Sequence, residues 1–193
     1  MKVAIISDIH GNKEALEAIM NDIKRENINN IICLGDVIGV GPNSKECMDI
    51  IINNNIEMVL GNHELYYIKG TSIDDELSNK TIDYYKLLKL PKEQEDFLNK
   101  CYLTIEKVYN GKKVLFEHFL INYDSKDDYP FYNTDVINAN LNTAIKNLDS
   151  DLIVVGHEHN GFNIGKLTCV AQSINSYSIL DTDSLKLYTK YID

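Results

Sequence analysis

Arginine is almost absent from this sequence. It occurs once in 193 residues, at Arg25, and the rest of the 19 basic residues are lysines. With 29 Asp and Glu residues, the formal net charge is −10. Such an acidic surface repels the phosphate backbone of a nucleic-acid polymer, so no DNA or RNA partner is expected. A small phosphate ester is still admissible, because bound cations reverse the local field. The single arginine leaves no guanidinium clamp for phosphate. Cysteine is sparse as well: Cys33, Cys47, Cys101 and Cys169 lie far apart and form no Cys-x-x-Cys pair. Zinc-ribbon and redox-motif readings therefore fail, and the four read as small buried apolar side chains. No apolar run is long enough to span a bilayer, so no membrane partner is expected. The opening Met1–Asp8 turns acidic too early for a signal peptide, which makes the cytoplasm the default location. Repeats, low-complexity tracts and Pro/Gly/Ser-rich linkers are missing too. A single domain over residues 1–193 is expected, long enough to bury a sizeable core.

What is present is a set of short apolar runs between amphipathic stretches. Val3–Ile6, Ile31–Leu34, Met58–Leu60, Val114–Phe116 and Leu152–Val155 have the pattern of strands buried on both faces. Asn12 reads as an N-cap for a helix carrying Leu16, Ile19, Met20 and Ile23. Asn43 or Ser44 can cap a second helix with Cys47, Met48, Ile51 and Ile52. The first third is thus β-α-β-α-β, which implies a parallel sheet with right-handed crossovers. Residues 64–101 look mainly helical, with breaks near Gly70 and Pro91, and Ile137, Leu141, Ile145 and Leu148 mark a further helix. From Leu167 the chain alternates in strand fashion, with a hairpin turn at Asp181–Ser184. These late strands suggest a second, mixed sheet stacked on the first.

Each buried run ends in residues that carry chemistry. The first leads into Asp8-Ile9-His10-Gly11-Asn12, the second into Gly35-Asp36 and the third into Gly61-Asn62-His63-Glu64. The fourth leads into Glu117-His118 and the fifth into Gly156-His157-Glu158-His159. All five histidines of the chain stand at these ends. The carboxyl ends of parallel strands share one edge of a sheet, where open α/β folds bind ligands. In extended backbone, residues two apart point the same way, so Asp8 with His10 and His157 with His159 would each present a pair of donors. Asp, His and Asn converging on one place is the donor set of a divalent transition-metal site.

These motifs resemble the calcineurin-like metallophosphoesterase superfamily, and within it the branch of small, single-domain bacterial phosphodiesterases that includes relatives of diadenosine tetraphosphatases. The resemblance implies a four-layer α/β/β/α sandwich. It implies one metal held by Asp8, His10, Asp36 and His159, and another held by Asp36, Asn62, His118 and His157, with Asp36 bridging. It makes His63 the catalytic proton donor or phosphate contact, with Asn62 beside it in the substrate site. The implied cofactors are two divalent ions, Mn before Fe, Zn, Co or Ni. The implied reaction is hydrolysis of a small phosphate ester, a phosphodiester or nucleotide, by attack of a metal-bridging hydroxide. The sequence departs from the family pattern where Phe119 follows His118, where Val170-Ala171-Gln172-Ser173 replaces the usual turn, and where Glu64 stands for Asp. These departures bear on pocket shape and substrate class.

Two other functions fit parts of the pattern. A Ser/Thr protein phosphatase of the same superfamily would share Gly61-Asn62-His63-Glu64, but that branch carries an Asp and an Arg where Gly39 and Val40 stand here. A catalytically silent metal-binding interaction module would have the fold without turnover. The segments 64–101, with Tyr66, Tyr67, Tyr84 and Tyr85, and 119–132, with Phe119, Tyr123, Tyr129, Phe131, Tyr132, Asp124, Asp127 and Asp128, each follow a site motif. Both are expected to border the site. Ordinary packing of amphipathic tyrosine is the favoured reading over an aromatic wall for a base.

Overall fold

Apolar runs of four or five residues make strands that must be covered on both faces, and the computed structural model covers them with two sheets and an outer layer of helices. It describes residues 1–70, 84–124 and 139–192. Val3–Ile6 of β1 (Lys2–Ile6) are all buried. Helix α1 (Lys13–Arg25) starts where expected: the Asn12 side chain accepts from the Ala15 amide at 3.1 Å, and Leu16, Ile19 and Ile23 form the buried face. Next come β2 (Asn30–Cys33), α2 (Ser44–Asn53), β3 (Glu57–Met58) and α3 (Asn62–Lys69). Asn43 precedes α2 without a capping side-chain bond, while the Ser44 hydroxyl accepts from the Gly39 amide at 3.1 Å. Residues 84–87 are helical, and α4 (Lys92–Leu98) follows Pro91. The remaining elements are β4 (Thr104–Tyr109), β5 (Lys112–Glu117), α5 (Ala139–Asn147), β6 (Leu152–Val155), β7 (Phe162–Ile164), β8 (Leu167–Cys169), β9 (Ser176–Asp181) and β10 (Lys186–Tyr191).

One sheet has the order β10-β9-β1-β2-β3 and the other β4-β5-β6-β8-β7. In the first, β1, β2 and β3 are parallel and β9 runs antiparallel to β1. In the second, β5, β6 and β8 are parallel, with β4 and β7 antiparallel at the edges. Three buried clusters fill the gaps between layers. Ala4, Ile6 and Cys33 pack under α1 and α2. Val3, Ile5, Leu34, Phe116, Val154 and Leu180 fill the space between the sheets. Leu115, Ile153, Val155 and Leu167 lie under Leu141 and Ile145 of α5. This is the α/β/β/α sandwich. Among the described residues, no helix is long and apolar enough to cross a membrane.

The strand assignment differs from the sequence expectation in three ways. Of the late strands β8 joins the second sheet as expected, but β9 and β10 extend the first. The reason is burial, since Ser176–Leu180 are all buried and pair Val3 with Leu180 and Ala4 with Ile179 beside β1. The second sheet is built instead around β5, β6 and β8. Its edges β4 and β7 are half-exposed or three residues long, so neither shows an apolar run. The third strand is also shorter than Met58–Leu60. Beyond Met58 the chain turns toward Tyr102, whose carbonyl accepts from the Leu60 amide at 2.9 Å. Cys33, Cys47 and Cys169 are buried as expected, and Cys101 is partly exposed; all four are free thiols. The expected contribution of Ile137 to α5, like Tyr129, Phe131, Tyr132, Asp127 and Asp128, lies outside the described residues.

Phe116 is fully buried in the layer shared by both sheets. Phe116→Ala should cost about 3–5 kcal/mol in denaturant unfolding, whereas Leu87→Ala should stay within about 0.5 kcal/mol. Leu87 is 81% exposed, so it controls for the substitution itself.

Candidate metal centre

The five strand ends meet in one place, but they come from both sheets. The loops after β1, β2 and β3 belong to the first sheet, and those after β5 and β6 to the second. The loops after β1 and β2 run side by side. The amides of Asp8, His10 and Gly11 donate to the carbonyls of Gly35, Asp36 and Val37 at 3.1, 2.9 and 2.8 Å. This pairing holds a backbone that is not extended. Asp8, His10, Asp36, His157 and His159 have φ of 55°, 49°, 51°, 70° and 56°, all left-handed. The expected alignment of Asp8 with His10, and of His157 with His159, by strand alternation is therefore wrong. Each donor is aimed by its own turn. Left-handed non-glycine residues are uncommon and cost on the order of 1–3 kcal/mol each, sustained only where the surroundings fix them.

Glu64 does much of that fixing. It lies fully buried in the first turn of α3. Its Oε2 accepts from the amides of Asp36 at 2.8 Å and Gly61 at 2.9 Å, and its Oε1 from Val37 at 2.9 Å and Ile38 at 3.1 Å. One carboxylate thus ties the loop after β2 to the start of α3. Burial and the nearby Asp36 carboxylate push its pKa up to about 7, against the four N–H donors, which favour the charged form. The approach is close enough that a Cβ at Gly61 would fall on the Asp36 carboxylate.

Each site aspartate has one oxygen held by backbone amides or a hydroxyl and one that faces histidine rings. Asp8 Oδ2 accepts from the Ser7 hydroxyl at 2.6 Å and the His157 amide at 3.1 Å. Asp8 Oδ1 is buried without a hydrogen-bond partner. It lies 3.5 Å from His159 Nε2 and 3.9 Å from His10 Nε2. Asp36 Oδ1 accepts from the His63 amide at 2.8 Å. Asp36 Oδ2 points inward, 3.2 Å from His118 Nε2 and 3.9 Å from His10 Nε2. Asn62 Oδ1 stands 3.0 Å from His118 Nε2 and 2.9 Å from His157 Nδ1. The Nε2 atoms of His10 and His159 face each other at 3.1 Å.

These separations, about 3–4 Å, are those of donors sharing one cation at bonds of about 2.0–2.2 Å. Asp8, His10 and His159 form one set close enough to hold a metal, and Asp8, Asp36 and His118 another, with Asn62 Oδ1 between His118 and His157. The second layer suits the same use. His118 Nδ1 donates to the Leu34 carbonyl at 2.8 Å, which turns Nε2 inward, where it would exchange its proton for a cation. Two buried carboxylates in one place are costly without positive charge. In the metal-free chain His118 supplies it: burial alone would lower its pKa, but Asp36 and Asp8 outweigh burial and push it up to about 9. His10 goes the other way, pushed down to about 4 by burial against the pull of Asp36. Burial acts to raise the pKa of Asp36, yet His118 and His63 hold it well below the usual carboxylate range.

His63 is not at the end of an extended strand. It is the second residue of α3, where the helical turn swings it over the cluster. Its Nε2 lies 3.9 Å from Asp36 Oδ2, and its ring centroid is 4.6 Å from that of His10. Asp36, His10 and His63 also have spacing that could hold a metal. What sets His63 apart is its Nδ1, which bonds the hydroxyl of Tyr85. Burial holds the His63 pKa below its ordinary value, despite Asp36. Sequence reasoning took Tyr85 for packing and missed this contact, since nothing in the order of residues points a tyrosine at a histidine 22 positions away.

The other departures are structural. Phe119 packs edge-on against His118 and His157, with centroids at 5.6 and 6.0 Å. Ser173 exchanges bonds with Ser7, its amide donating to the Ser7 carbonyl at 2.9 Å and its hydroxyl accepting from the Ser7 amide at 3.0 Å. The Gln172 amide donates to the His159 carbonyl at 3.1 Å, so this turn joins the loops after β1 and β6. Tyr67 is spent on Glu95 at 2.9 Å, and Tyr123 on Glu117. Of the described tyrosines in the two segments, Tyr66 and Tyr85 have rings facing His63.

A family model for calcineurin-like phosphoesterases matches residues 1–161, and the chain belongs to that family. Among its relatives is an uncharacterised protein of Methanocaldococcus jannaschii, 38% identical over 160 residues, which are 81% of this chain and 62% of that one. Another is the symmetrical bis(5'-nucleosyl)-tetraphosphatase of Baumannia cicadellinicola, 31% identical over 123 residues, 61% of this chain and 42% of that enzyme. The chain thus spans less than two thirds of the length of these curated relatives. In fold it is similar to the crystal structure of a metallophosphoesterase from Sphaerobacter thermophilus, at a TM-score of 0.72 and 22% identity, covering 100% of this chain and 88% of that one.

Glu64→Gln puts an NH₂ group against two of the four amides it now accepts from. It should cost about 2–4 kcal/mol in stability, from two buried N–H groups left without acceptors. Thermal and denaturant unfolding of the metal-free protein measure this, and a change below about 0.5 kcal/mol would contradict it.

Proposed function

We propose that this chain hydrolyses a small phosphate ester, a phosphodiester or nucleotide, at two divalent cations. Asp8, His10, Asp36 and His159 hold one cation, and Asp36, Asn62, His118 and His157 hold the other. The observation that carries this reading is the buried, unpartnered Asp8 Oδ1, together with an Asp36 Oδ2 that faces both histidine groups. The nearest groups to Asp8 Oδ1 are the His159 and His10 nitrogens at 3.5 and 3.9 Å, an arrangement that a cation between them would complete. The donor set of carboxylate, imidazole and amide suits Mn, with Fe, Zn, Co or Ni as alternatives. When bound, such a pair supplies Lewis-acid polarisation of a phosphoryl group and a water that ionises near neutral pH.

The chain's own residues set the rest. Asn62 and His63 open α3 beside the cluster, with Asn62 Oδ1 turned to His118 and His157 and His63 Nε2 turned to Asp36 Oδ2, and a bound phosphate ester would lie next to them. His63 Nε2 is the group free to hydrogen-bond a phosphoryl or leaving-group oxygen. A net charge of −10 favours small substrates over polyanions. The similarity to a bis(5'-nucleosyl)-tetraphosphatase makes nucleotides the first compounds to test. A Ser/Thr phosphatase reading is disfavoured on two counts. A Cβ at Gly39 would collide with His63 Nδ1, and Arg25 is engaged with Asp22 on α1.

Metal analysis and turnover of an aryl phosphodiester and of dinucleoside polyphosphates test the reading. The wild-type protein should bind two Mn per chain. Asp36→Asn should lose both ions and all turnover, because an amide cannot neutralise two cations. His63→Gln should keep both ions and lower kcat by about 10²–10⁴-fold. Zero metal under Mn or Zn saturation, or normal turnover in Asp36→Asn, would sink the two-metal assignment.

A further inference from the structure

The two ring nitrogens of His63 face different surroundings. Nε2 looks into the donor cluster, 3.9 Å from Asp36 Oδ2. Nδ1 meets the hydroxyl of Tyr85. Tyr85 is buried, with its ring 5.1 Å from Tyr84 and 6.4 Å from Tyr66. Its hydroxyl reaches His63 through space that Gly39 leaves empty. A Cβ at Gly39 would land on both His63 Nδ1 and the Tyr85 oxygen, and Gly39 has φ of +97°, where side chains are disfavoured in any case. The missing side chain at 39 is what lets a tyrosine touch the histidine.

The direction of this hydrogen bond follows from what each group can do. Among the described residues, the Tyr85 hydroxyl has His63 Nδ1 as its hydrogen-bond partner. Burial, with Asp36 and Glu64 adding, raises the Tyr85 pKa far above the ordinary phenol value, so the O–H proton stays in place. A buried O–H without an acceptor is costlier than an unused oxygen lone pair. The hydroxyl therefore donates, and a neutral imidazole that accepts at Nδ1 carries its proton on Nε2.

We infer that Tyr85 is a positioning residue for His63: its hydroxyl donates to Nδ1, fixes the Nε2–H tautomer and aims that N–H at the oxygen of a bound phosphate ester. The contact stands by itself; the identity of what Nε2–H meets rests on the phosphoesterase reading. One chemical consequence follows. If His63 gave its Nε2 proton to a leaving group, the ring would become an imidazolate, unless the Tyr85 proton passed to Nδ1 and left a buried phenolate near Asp36 and Glu64. An imidazolate or a phenolate is a stronger base than an aryloxide or phosphate leaving group, so neither product is favoured. His63 thus acts as a neutral hydrogen-bond donor to developing charge, and the proton stays on the ring.

The test is Tyr85→Phe, which keeps the ring and removes the hydroxyl. Nitrogen NMR of the metal-free protein, at a pH where His63 is neutral, reads the tautomer directly. Wild-type His63 should carry its proton on Nε2, and Tyr85→Phe should give a mixture of tautomers. With Mn-loaded protein and an aryl phosphodiester, Tyr85→Phe should lower kcat about tenfold to a hundredfold, with metal content unchanged and KM within about twofold. Adding Tyr85→Phe to His63→Gln should cost little more, since the tyrosine acts through the histidine. A wild-type ring protonated on Nδ1 overturns the inference, even if Tyr85→Phe does not fold. So does a Tyr85→Phe protein with wild-type tautomer and kcat. If the wild-type protein turns over no phosphate ester, the phosphoesterase reading fails, while the NMR readout still decides the role of Tyr85.

Discussion

The structure is organised around two carboxylates that would repel each other in a dry interior. Asp8 and Asp36 are both almost fully buried, and each turns one oxygen toward the same small space. Close-lying charges of one sign in low dielectric are tolerated only where something positive is held between or beside them. Every histidine of the chain has a ring near these oxygens or near the Asn62 amide that completes the cluster. The backbone conforms to the same demand. Five donors sit in left-handed turns, and paired loop amides, the Glu64 carboxylate and the Ser7–Ser173 exchange hold those turns against relaxation. The two-sheet sandwich gives this arrangement a rigid base, because the loops that carry the donors leave strands buried on both faces.

Much of the site was legible in the sequence, for a physical reason. A buried strand needs a continuous apolar run, and polar donors placed just after such runs are conspicuous. Asp8, His10, Asp36, Asn62, His118, His157 and His159 all stand in that position, and the structure brings all of them together. Their aim was not legible. Strand alternation suggested that Asp8 and His10 point together because the backbone is extended, yet positive φ angles do the aiming; Asp, His and Asn adopt that region more readily than other side chains, but they do not by themselves mark where a left-handed turn falls.

The sheets were legible only in part. Val3–Ile6 and Leu152–Val155 need cover on both faces and announce themselves. Thr104–Tyr109 is an edge strand with alternating exposure, and Phe162–Ile164 is too short to show a period. That β9 and β10 join the first sheet is a matter of long-range pairing, Val3 with Leu180, which no local pattern encodes. Two partners of the donors were also hidden. Glu64 read as a departure from a motif, and its role as acceptor for four amides needs the folded loops. Tyr85 read as packing, which it also provides.

The central claim is that two cations flank Asp36, and locating them tests it most directly. Crystals of the Mn-loaded protein measured at the Mn absorption edge should show two anomalous peaks. One should lie among Asp8, His10 and His159, and the other among Asn62, His118 and His157, with Asp36 Oδ2 between them. A single peak, or peaks away from Asp36, would contradict the account.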